Sequence, residues 1–189
     1  MDDVETSSER LLARQVLDAG AREILVGGLG LGHTTRELLA EPSVERVVVA
    51  ELHREIVDWM RDGTIPGAEL LADPRVDVVV ADVRDVVSHQ PMGGLDAIVL
   101  DVDNGPDFLV HPDNDGVYRP EFVAECARRL RPAGHLCIWS MADSQALRGV
   151  LADHFAVVDA TPVDVRLQGR DEQYWILTGS QRDTVRDRG

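Results

Sequence analysis

Lysine is absent from this chain of 189 residues, and all 19 basic residues are arginine. No Schiff base can form on a side-chain amine, and no Walker-A phosphate loop can be completed. Cysteine is scarce. Cys126 and Cys137 lie far apart in apolar stretches and make neither a disulfide framework nor a zinc spacing such as C-x-x-C, so both read as buried thiols in a reducing compartment. Aromatic residues amount to 4%. No apolar run approaches the roughly 18 residues a membrane helix needs, and the opening MDDVETSSER is acidic and polar, unlike a secretory signal. The expectation is a soluble, cytoplasmic protein with no membrane partner. Positive charge is in deficit as well: 34 acidic against 19 basic residues leave a net charge of -15. Such a surface repels phosphate backbones, which argues against nucleic acid as a partner. It attracts cations, polyamines among them, although acidity for solubility alone accounts for the charge more simply.

What the chain has is apolar residues, 44% of the total, enough to build one core and leaving little room for a second domain. Short apolar runs alternate with amphipathic stretches, the pattern of βαβ units. The expected architecture is α/β: an open, mostly parallel seven-stranded sheet with helices on both faces. A single domain is expected over 1–179, with 1–22 holding an N-terminal helix at 7–19 and 180–189 forming a charged, disordered tail. Strands are expected at 23–26, 46–50, 76–81, 97–100, 135–139, 155–159 and 173–177. Helices are expected at 33–40, 53–62, 83–88, 120–130 and 143–153. Residues 63–67 and 102–118 read as loops, and Arg131-Pro132-Ala133-Gly134 reads as a helix terminator.

The acids fall regularly. Glu51, Asp82 and Asp101 each stand just past the carboxyl end of an expected strand, and so does the loop Gly27-Gly28-Leu29-Gly30-Leu31-Gly32. In an open parallel sheet those ends form one rim, where ligands bind at the topological switch point. A glycine loop there lets backbone approach a ligand closely. Its spacing is G-x-G-x-G over Gly28, Gly30 and Gly32; the dinucleotide fingerprint would need Gly or Ala where His33 stands, which disfavours a nicotinamide oxidoreductase. Glu51, after Val47-Val48-Val49-Ala50, can accept the hydroxyls of a ribose, or it can be a solvated surface acid. Asp82 can accept from an adenine amine with the Val83 N–H beside it, and serves equally as a helix cap.

These stretches together, ILVGGLGLGHTTREL, VVVAELHREIVDWM, DPRVDVVVADVRDVV, LDAIVLDVDNGP and VYRPEFVAECARRLRPAGHLCIW, resemble a class I S-adenosylmethionine-dependent transferase. More narrowly, they are similar to the spermidine synthase (polyamine aminopropyltransferase) family. The resemblance covers about residues 23–140. It implies a Rossmann-like fold and S-adenosylmethionine, or its decarboxylated form, as cofactor. Gly28, Gly30 and Gly32 would line the methionine portion, Glu51 would take the ribose, and Asp82 and Val83 the adenine. Asp101 would contact the cofactor's reactive end and act as the catalytic acid that accepts a proton from, or positions, the attacking amine. Asp103 would be its catalytic companion, with Asn104 and Tyr118 on the substrate side.

Three departures stand against a complete match. The family's glycine run carries an Asp that holds the amine of the decarboxylated cofactor; Gly30 aligns there. The second acid of the family's D-x-x-D loop is Asn104 here, with Asp103 next door. Only about 22 residues precede the first strand, fewer than the family's N-terminal β-rich domain needs. These departures favour methyl or other alkyl transfer to a small, cationic amine as the function. The alternatives are aminopropyl transfer, with Asp103 holding the amine, and a non-catalytic nucleotide-binding or partner subunit. A homodimer is expected from the family.

The loop after Asp101 is rich in acids (Asp103, Asp107, Asp113, Asp115) and reads as a substrate lid or a solvated loop. No metal site is expected: no ligand spacing marks one, and Ser140-Met141 stand where metal-dependent O-methyltransferases carry a further acid. His111 is a general-base candidate or simply solvated. His33 faces the cofactor or merely starts its helix. Trp139 and Tyr118 are expected to wall the pocket, and Trp59 and Trp175 to pack.

Overall fold

The computed structural model describes residues 6–167 and 170–181. Helix α1 (Ser7–Asp18) leads into β1 (Glu23–Gly27), α2 (His33–Leu39), β2 (Arg46–Glu51), α3 (Arg54–Asp62), α4 (Ala68–Ala72), β3 (Val76–Val80), α5 (Val83–Ser88) and β4 (Leu95–Leu100). A 3-10 helix (Pro112–Tyr118) precedes α6 (Pro120–Arg129), β5 (Leu130–Ser140), α7 (Gln145–Ala152), β6 (Val157–Leu167) and β7 (Arg170–Ser180). Among the described residues the strands form one seven-stranded sheet in the order β3-β2-β1-β4-β5-β7-β6. The pairings from β3 across to β5 are parallel, and β7 runs antiparallel to both β5 and β6.

The central strands are near-continuous apolar runs because both faces of a parallel sheet are covered. Side chains alternate between two cores. Leu25, Val48, Ile98, Leu136 and Ile138 pack under α5, α6 and α7 through Val87, Phe122, Val123, Cys126, Leu147 and Leu151. Ile24, Val26, Val47, Val49, Val99 and Cys137 pack under α1, α2 and α3 through Leu12, Val16, Leu38, Val57 and Met60. Each free cysteine is buried, Cys126 in one core and Cys137 in the other. The Cys137 thiol is pushed up to about 12 by burial, so it stays protonated and packs as a small apolar group.

At the switch point between β1 and β4, the Gly28 N–H donates to Ala50 O at 2.9 Å and the Asp101 N–H to Gly27 O at 2.9 Å. The strand ends thus remain stitched together just where the loops depart. Gly27 allows this closeness: a Cβ there would lie 2.8 Å from Val83 Cγ2 and 3.1 Å from Leu100 Cδ2.

Several expectations about the elements need correction. Beyond the expected loop at 63–67 lies α4 (Ala68–Ala72), where no element was expected, with Leu70 buried; it is too short to show helical periodicity. The 3-10 helix lies inside the stretch expected to be a loop. The terminator Arg131–Gly134 does end α6, but it is a bulge inside β5. Leu130 pairs with Leu95, pairing resumes at His135 with Ala97, and Ala133 takes φ 63. β6 and β7 are each 11 residues long, about twice the expected length. Their outer portions carry Asp164, Asp171, Glu172 and Gln173, polar residues that suit an edge hairpin, while Val163 and Val165 alternate with Asp164 and are buried. Ser180 belongs to β7, and the Gln181 N–H donates to Gly134 O at 3.1 Å; the rest of the expected tail lies outside the described residues. Trp59, expected to pack, is about half exposed. Among the described residues no helix is long and apolar enough to cross a membrane.

Candidate functional site

The carboxyl ends of β1 to β4 open onto a cavity of about 1150 Å³. Its inner wall is the rim. Gly28 to Leu31 follow β1, Glu51 to His53 follow β2, Asp82 to Arg84 follow β3, and Asp101 to Asn104 follow β4. Parallel strands make this wall by register alone, since every loop leaves the same edge of the sheet.

Gly28 sits at φ 93, and a Cβ there would fall 2.2 Å from the Asp101 carbonyl oxygen. The glycine is therefore required by the approach of two backbones. Gly30 lies on the wall at φ 50. Gly32 does not line the cavity. It caps α2 in the left-handed region, and a Cβ there would strike Leu70 Cδ1 at 2.4 Å, so its place is fixed by packing against α4 and not by the cavity.

Glu51 is buried, and its carboxylate accepts from the Leu29 N–H at 2.9 Å and the His53 N–H at 2.8 Å. Two backbone donors orient it across the mouth of the glycine loop and leave lone pairs free for hydroxyl donors. Asp82 caps α5, accepting from the Arg84 N–H at 2.8 Å and from Arg84 Nε at 3.0 Å. That guanidinium holds the Asp82 carboxyl below its ordinary range, against the opposing effect of burial. Capping and lining coexist here, with Val83 on the wall beside it.

Asp101 and Asp103 stand two residues apart and have opposite environments. Asp101 keeps an opening to solvent through the cavity, yet the walls around it are dense. Burial, reinforced by the negative charge of Glu9, pushes its carboxyl up to about 7, and the Thr34 hydroxyl, 3.5 Å from Oδ2, offsets this only slightly. For Asp103, burial also raises the pKa, but hydrogen bonds win and hold the carboxyl below its ordinary value. Oδ2 accepts from Asn114 Nδ2 at 2.8 Å and the His111 N–H at 3.4 Å, and Oδ1 from the Val110 N–H at 2.9 Å and the Asn104 N–H at 2.6 Å. Asp103, expected to share the chemistry of Asp101, is occupied as the organiser of its own loop. Asn104 lines the cavity, and its carbonyl accepts from the Met141 N–H at 2.9 Å. Tyr118, expected on the substrate side, lies in the core under α6 and not on the cavity wall. Burial raises its hydroxyl pKa.

The outer wall has a different origin. Ser8 and Glu9, from the first turn of α1, meet Arg170, Glu172 and Tyr174 from β7 across the opening, with Trp139 of β5 between. The Trp139 and Tyr174 rings meet edge to face, centroids 4.8 Å apart at 61°. Gln15 ties α1 to the hairpin, donating from Nε2 to Thr161 Oγ1 at 3.0 Å and accepting from Thr178 Oγ1 at 2.8 Å. Trp139 was expected as a wall. Ser8, Glu9, Arg170, Glu172 and Tyr174 had no motif to mark them, because no local spacing relates residue 9 to residue 101 or 172.

The donor set fits a nucleoside carrying a short alkyl arm. The glycine cradle admits close backbone approach, Glu51 presents acceptors for vicinal hydroxyls, and two buried polar atoms of wall residues, His33 Nε2 and Trp139 Nε1, have no hydrogen-bond partner among the described residues. A seven-stranded sheet of this order, with a glycine loop after β1 and acids after β2, β3 and β4, defines the class I S-adenosylmethionine-dependent fold.

Within that class, the Spermine/spermidine synthase domain matches over residues 11–152, and the chain belongs to that family. It is similar to the polyamine aminopropyltransferase of Mycobacterium tuberculosis, 35% identical over 134 residues, which cover 69% of this chain and 25% of that protein. It is also similar to putrescine N-methyltransferase 1 of Nicotiana tabacum, 34% identical over 116 residues, 61% of this chain and 30% of that protein. The chain thus spans about a quarter to a third of the length of these curated relatives. A crystal structure of spermidine synthase in complex with the transition state analogue AdoDATO superposes with a TM-score of 0.79 at 18% identity, covering 93% of this chain and 60% of that one; at that identity the likeness is one of fold.

Proposed function

We propose that this chain is a transferase that moves an alkyl group from a sulfonium nucleoside to a small primary amine. The aminopropyl group of decarboxylated S-adenosylmethionine is the first candidate. The observation that carries the reading is the Asp101 carboxylate, unpaired with any cation among the described residues, at the floor of a cavity that also holds the glycine cradle and Glu51. A sulfonium supplies an activated carbon, so the protein has mainly to align, desolvate and deprotonate the nucleophile. Gly28 and Gly30 would cradle the alkyl arm, Glu51 would fix the ribose, and Asp82 with Val83 would bound the base. Asp101 would take a proton from the substrate ammonium, freeing the amine lone pair that forms the C–N bond as the C–S bond breaks and a neutral thioether leaves. A carboxyl raised to about 7 is suited to that exchange near neutral pH.

The sequence departures alone favour methyl transfer; the family membership and the aminopropyltransferase relatives weigh more heavily for the aminopropyl reaction. Methyl transfer remains the second reading, supported by Gly30, which offers no carboxylate within the glycine loop, and by the likeness to putrescine N-methyltransferases. Purified protein supplied with putrescine and either decarboxylated or parent S-adenosylmethionine separates the two. Release of 5′-methylthioadenosine is expected from the decarboxylated donor, whereas S-adenosylhomocysteine from the parent donor alone reverses the order. Failure to bind either nucleoside at millimolar concentration refutes both. We propose further that the chain acts in the cytoplasm and that nucleic acid is not a partner. A homodimer is the oligomer to test, by light scattering.

A further inference from the structure

Arg84 is the second residue of α5, and its guanidinium turns back onto Asp82, the residue that caps the same helix. Asp82 Oδ1 accepts from the Arg84 N–H at 2.8 Å and from Nε at 3.0 Å, while Oδ2 accepts from Nε at 3.1 Å and from Nη2 at 2.5 Å. One residue therefore grips both carboxylate oxygens. An ion pair this open to solvent is ordinarily worth little, because a long side chain wanders. Here two features hold it. The contact is bidentate, through a planar fork. The far side of the guanidinium lies against Gly116 of the 3-10 helix, where a Cβ would fall 2.2 Å from Arg84 Nη1 and 3.2 Å from Cζ. Gly116 is not among the glycines at positive φ, so its backbone does not require glycine; the space taken by Arg84 does. Asp115, the acid beside Gly116, is paired with Arg119 at 2.5 Å, and Arg84 pairs with Asp82 alone among the described residues.

Asp82, Val83 and Arg84 all line the main cavity, at the end where the reading above places the base. Three donor hydrogens from Arg84 against about four acceptor sites on a carboxylate leave capacity for one donor arriving from the cavity. An untethered carboxylate rotates; this one is set in a single orientation before a ligand arrives, which removes the cost of ordering it. We propose that Arg84 is a positioning residue that makes the cavity select a 6-amino purine, fixing Asp82 from one side while Gly116 fixes Arg84 from the other. The 3-10 helix, whose Asn114 also orders the Asp103 loop, thereby becomes part of the base site. The inference rests on the transferase reading above and adds to it a residue that acts through Asp82.

The test is calorimetric titration of the full chain with 5′-methylthioadenosine and with 5′-methylthioinosine, which carries a carbonyl oxygen in place of the 6-amino group. The unmodified chain should prefer the adenine ligand by at least about tenfold. Arg84→Ala should weaken 5′-methylthioadenosine binding by about tenfold and leave 5′-methylthioinosine within about twofold, so that the preference falls. Arg84→Lys keeps the charge but not the fork, and should recover only part of the loss. Gly116→Ala should reproduce the fall in the unmodified chain by displacing the guanidinium. In the Arg84→Ala chain, where nothing is left to displace, it should change the preference by less than about twofold. A residue that only stabilised α5 would lower the melting temperature and both affinities together. An unchanged preference in Arg84→Ala, a gain in 5′-methylthioadenosine affinity, or a Gly116→Ala effect of equal size in both backgrounds overturns the proposal and leaves the transferase reading intact. Equal binding of the two nucleosides by the unmodified chain also overturns it, together with the placement of the base at Asp82. Absence of binding of either nucleoside by the unmodified chain overturns the transferase reading as well.

Discussion

The two walls of the cavity were built by different means. The inner wall comes from four consecutive strand ends, each followed within one or two residues by the group that faces the ligand. The outer wall comes from α1 and from β7, separated by more than 150 residues in the chain and joined through Gln15, Thr161 and Thr178. On the inner wall, backbone sets side-chain position: Glu51 is gripped by two N–H groups and Gly28 touches the Asp101 carbonyl. On the outer wall, position depends on how a helix and a hairpin lie against each other. Backbone contact leaves little room for change at Gly28 and Glu51, whereas the outer wall shifts with the packing of α1 on the hairpin.

The sharpest way to break the inner wall is Gly28→Ala. The added Cβ has no room against backbone and the residue has φ 93, so a loss of about 3 kcal/mol or more is expected in denaturant unfolding, together with loss of nucleoside binding.

Asp101→Asn leaves that wall standing and removes its charge. Turnover should fall by roughly 10²–10⁴-fold. In the unmodified chain kcat/KM should rise with pH to a plateau above about 7, because Asp101 must be ionised to accept a proton. Stability should run the other way. The folded pKa lies above the ordinary 3.8, so the folded state binds the proton more tightly; the stability this lends is present below about pH 4 and is lost as pH rises through about 7. At pH 8 the asparagine variant should therefore melt higher, by about 5 °C if some 2 kcal/mol of carboxylate burial is relieved. A pH-independent difference in melting would refute this.

Asp103→Asn separates the two acids of the β4 loop. It weakens four hydrogen bonds that order residues 104–114 without touching the reacting atoms. A rise in acceptor KM of roughly tenfold, about 1.4 kcal/mol, is expected with kcat within about twofold. A collapse of kcat equal to that of Asp101→Asn would make Asp103 a member of the catalytic pair after all.

The outer wall gives the smallest effect. Gln15→Leu removes its two ties to the hairpin at about 1 kcal/mol of stability by thermal melting. It should slacken binding of the decarboxylated donor several-fold while 5′-methylthioadenosine holds.

The parallel sheet was legible because buried strands need unbroken apolar runs, and Val47 to Ala50 or Ala97 to Leu100 can hardly be anything else. The rim acids Glu51, Asp82 and Asp101 were legible for a related reason: a residue one step past such a strand must emerge at the ligand edge. The hairpin was half legible: β6 and β7 extend as an edge ribbon held by backbone pairing, and although Val163 and Val165 alternate with Asp164 and Arg166 and are buried, the polar residues Asp171 to Gln173 opposite them carry no such signal. Gly32 and Tyr118 stand behind the cavity wall and not on it. Sequence distance cannot say that Leu70 fills the space beside Gly32, or that the 3-10 helix turns Tyr118 into the core.

The sequence by itself determined the sheet, the glycine loop and the order of carboxylates along one edge, because these follow from local periodicity and from strand direction. Only the tertiary structure decided which acid is free. Asp101 and Asp103 are the same residue type two positions apart, and the donors that occupy one and keep it ionised, Asn114 and the backbone of Val110 and His111, are contributed by a loop folding back on itself. Only the tertiary structure, too, brought Glu9 to the cavity, since packing of α1 against α2 and the far hairpin depends on shape and burial across the whole fold.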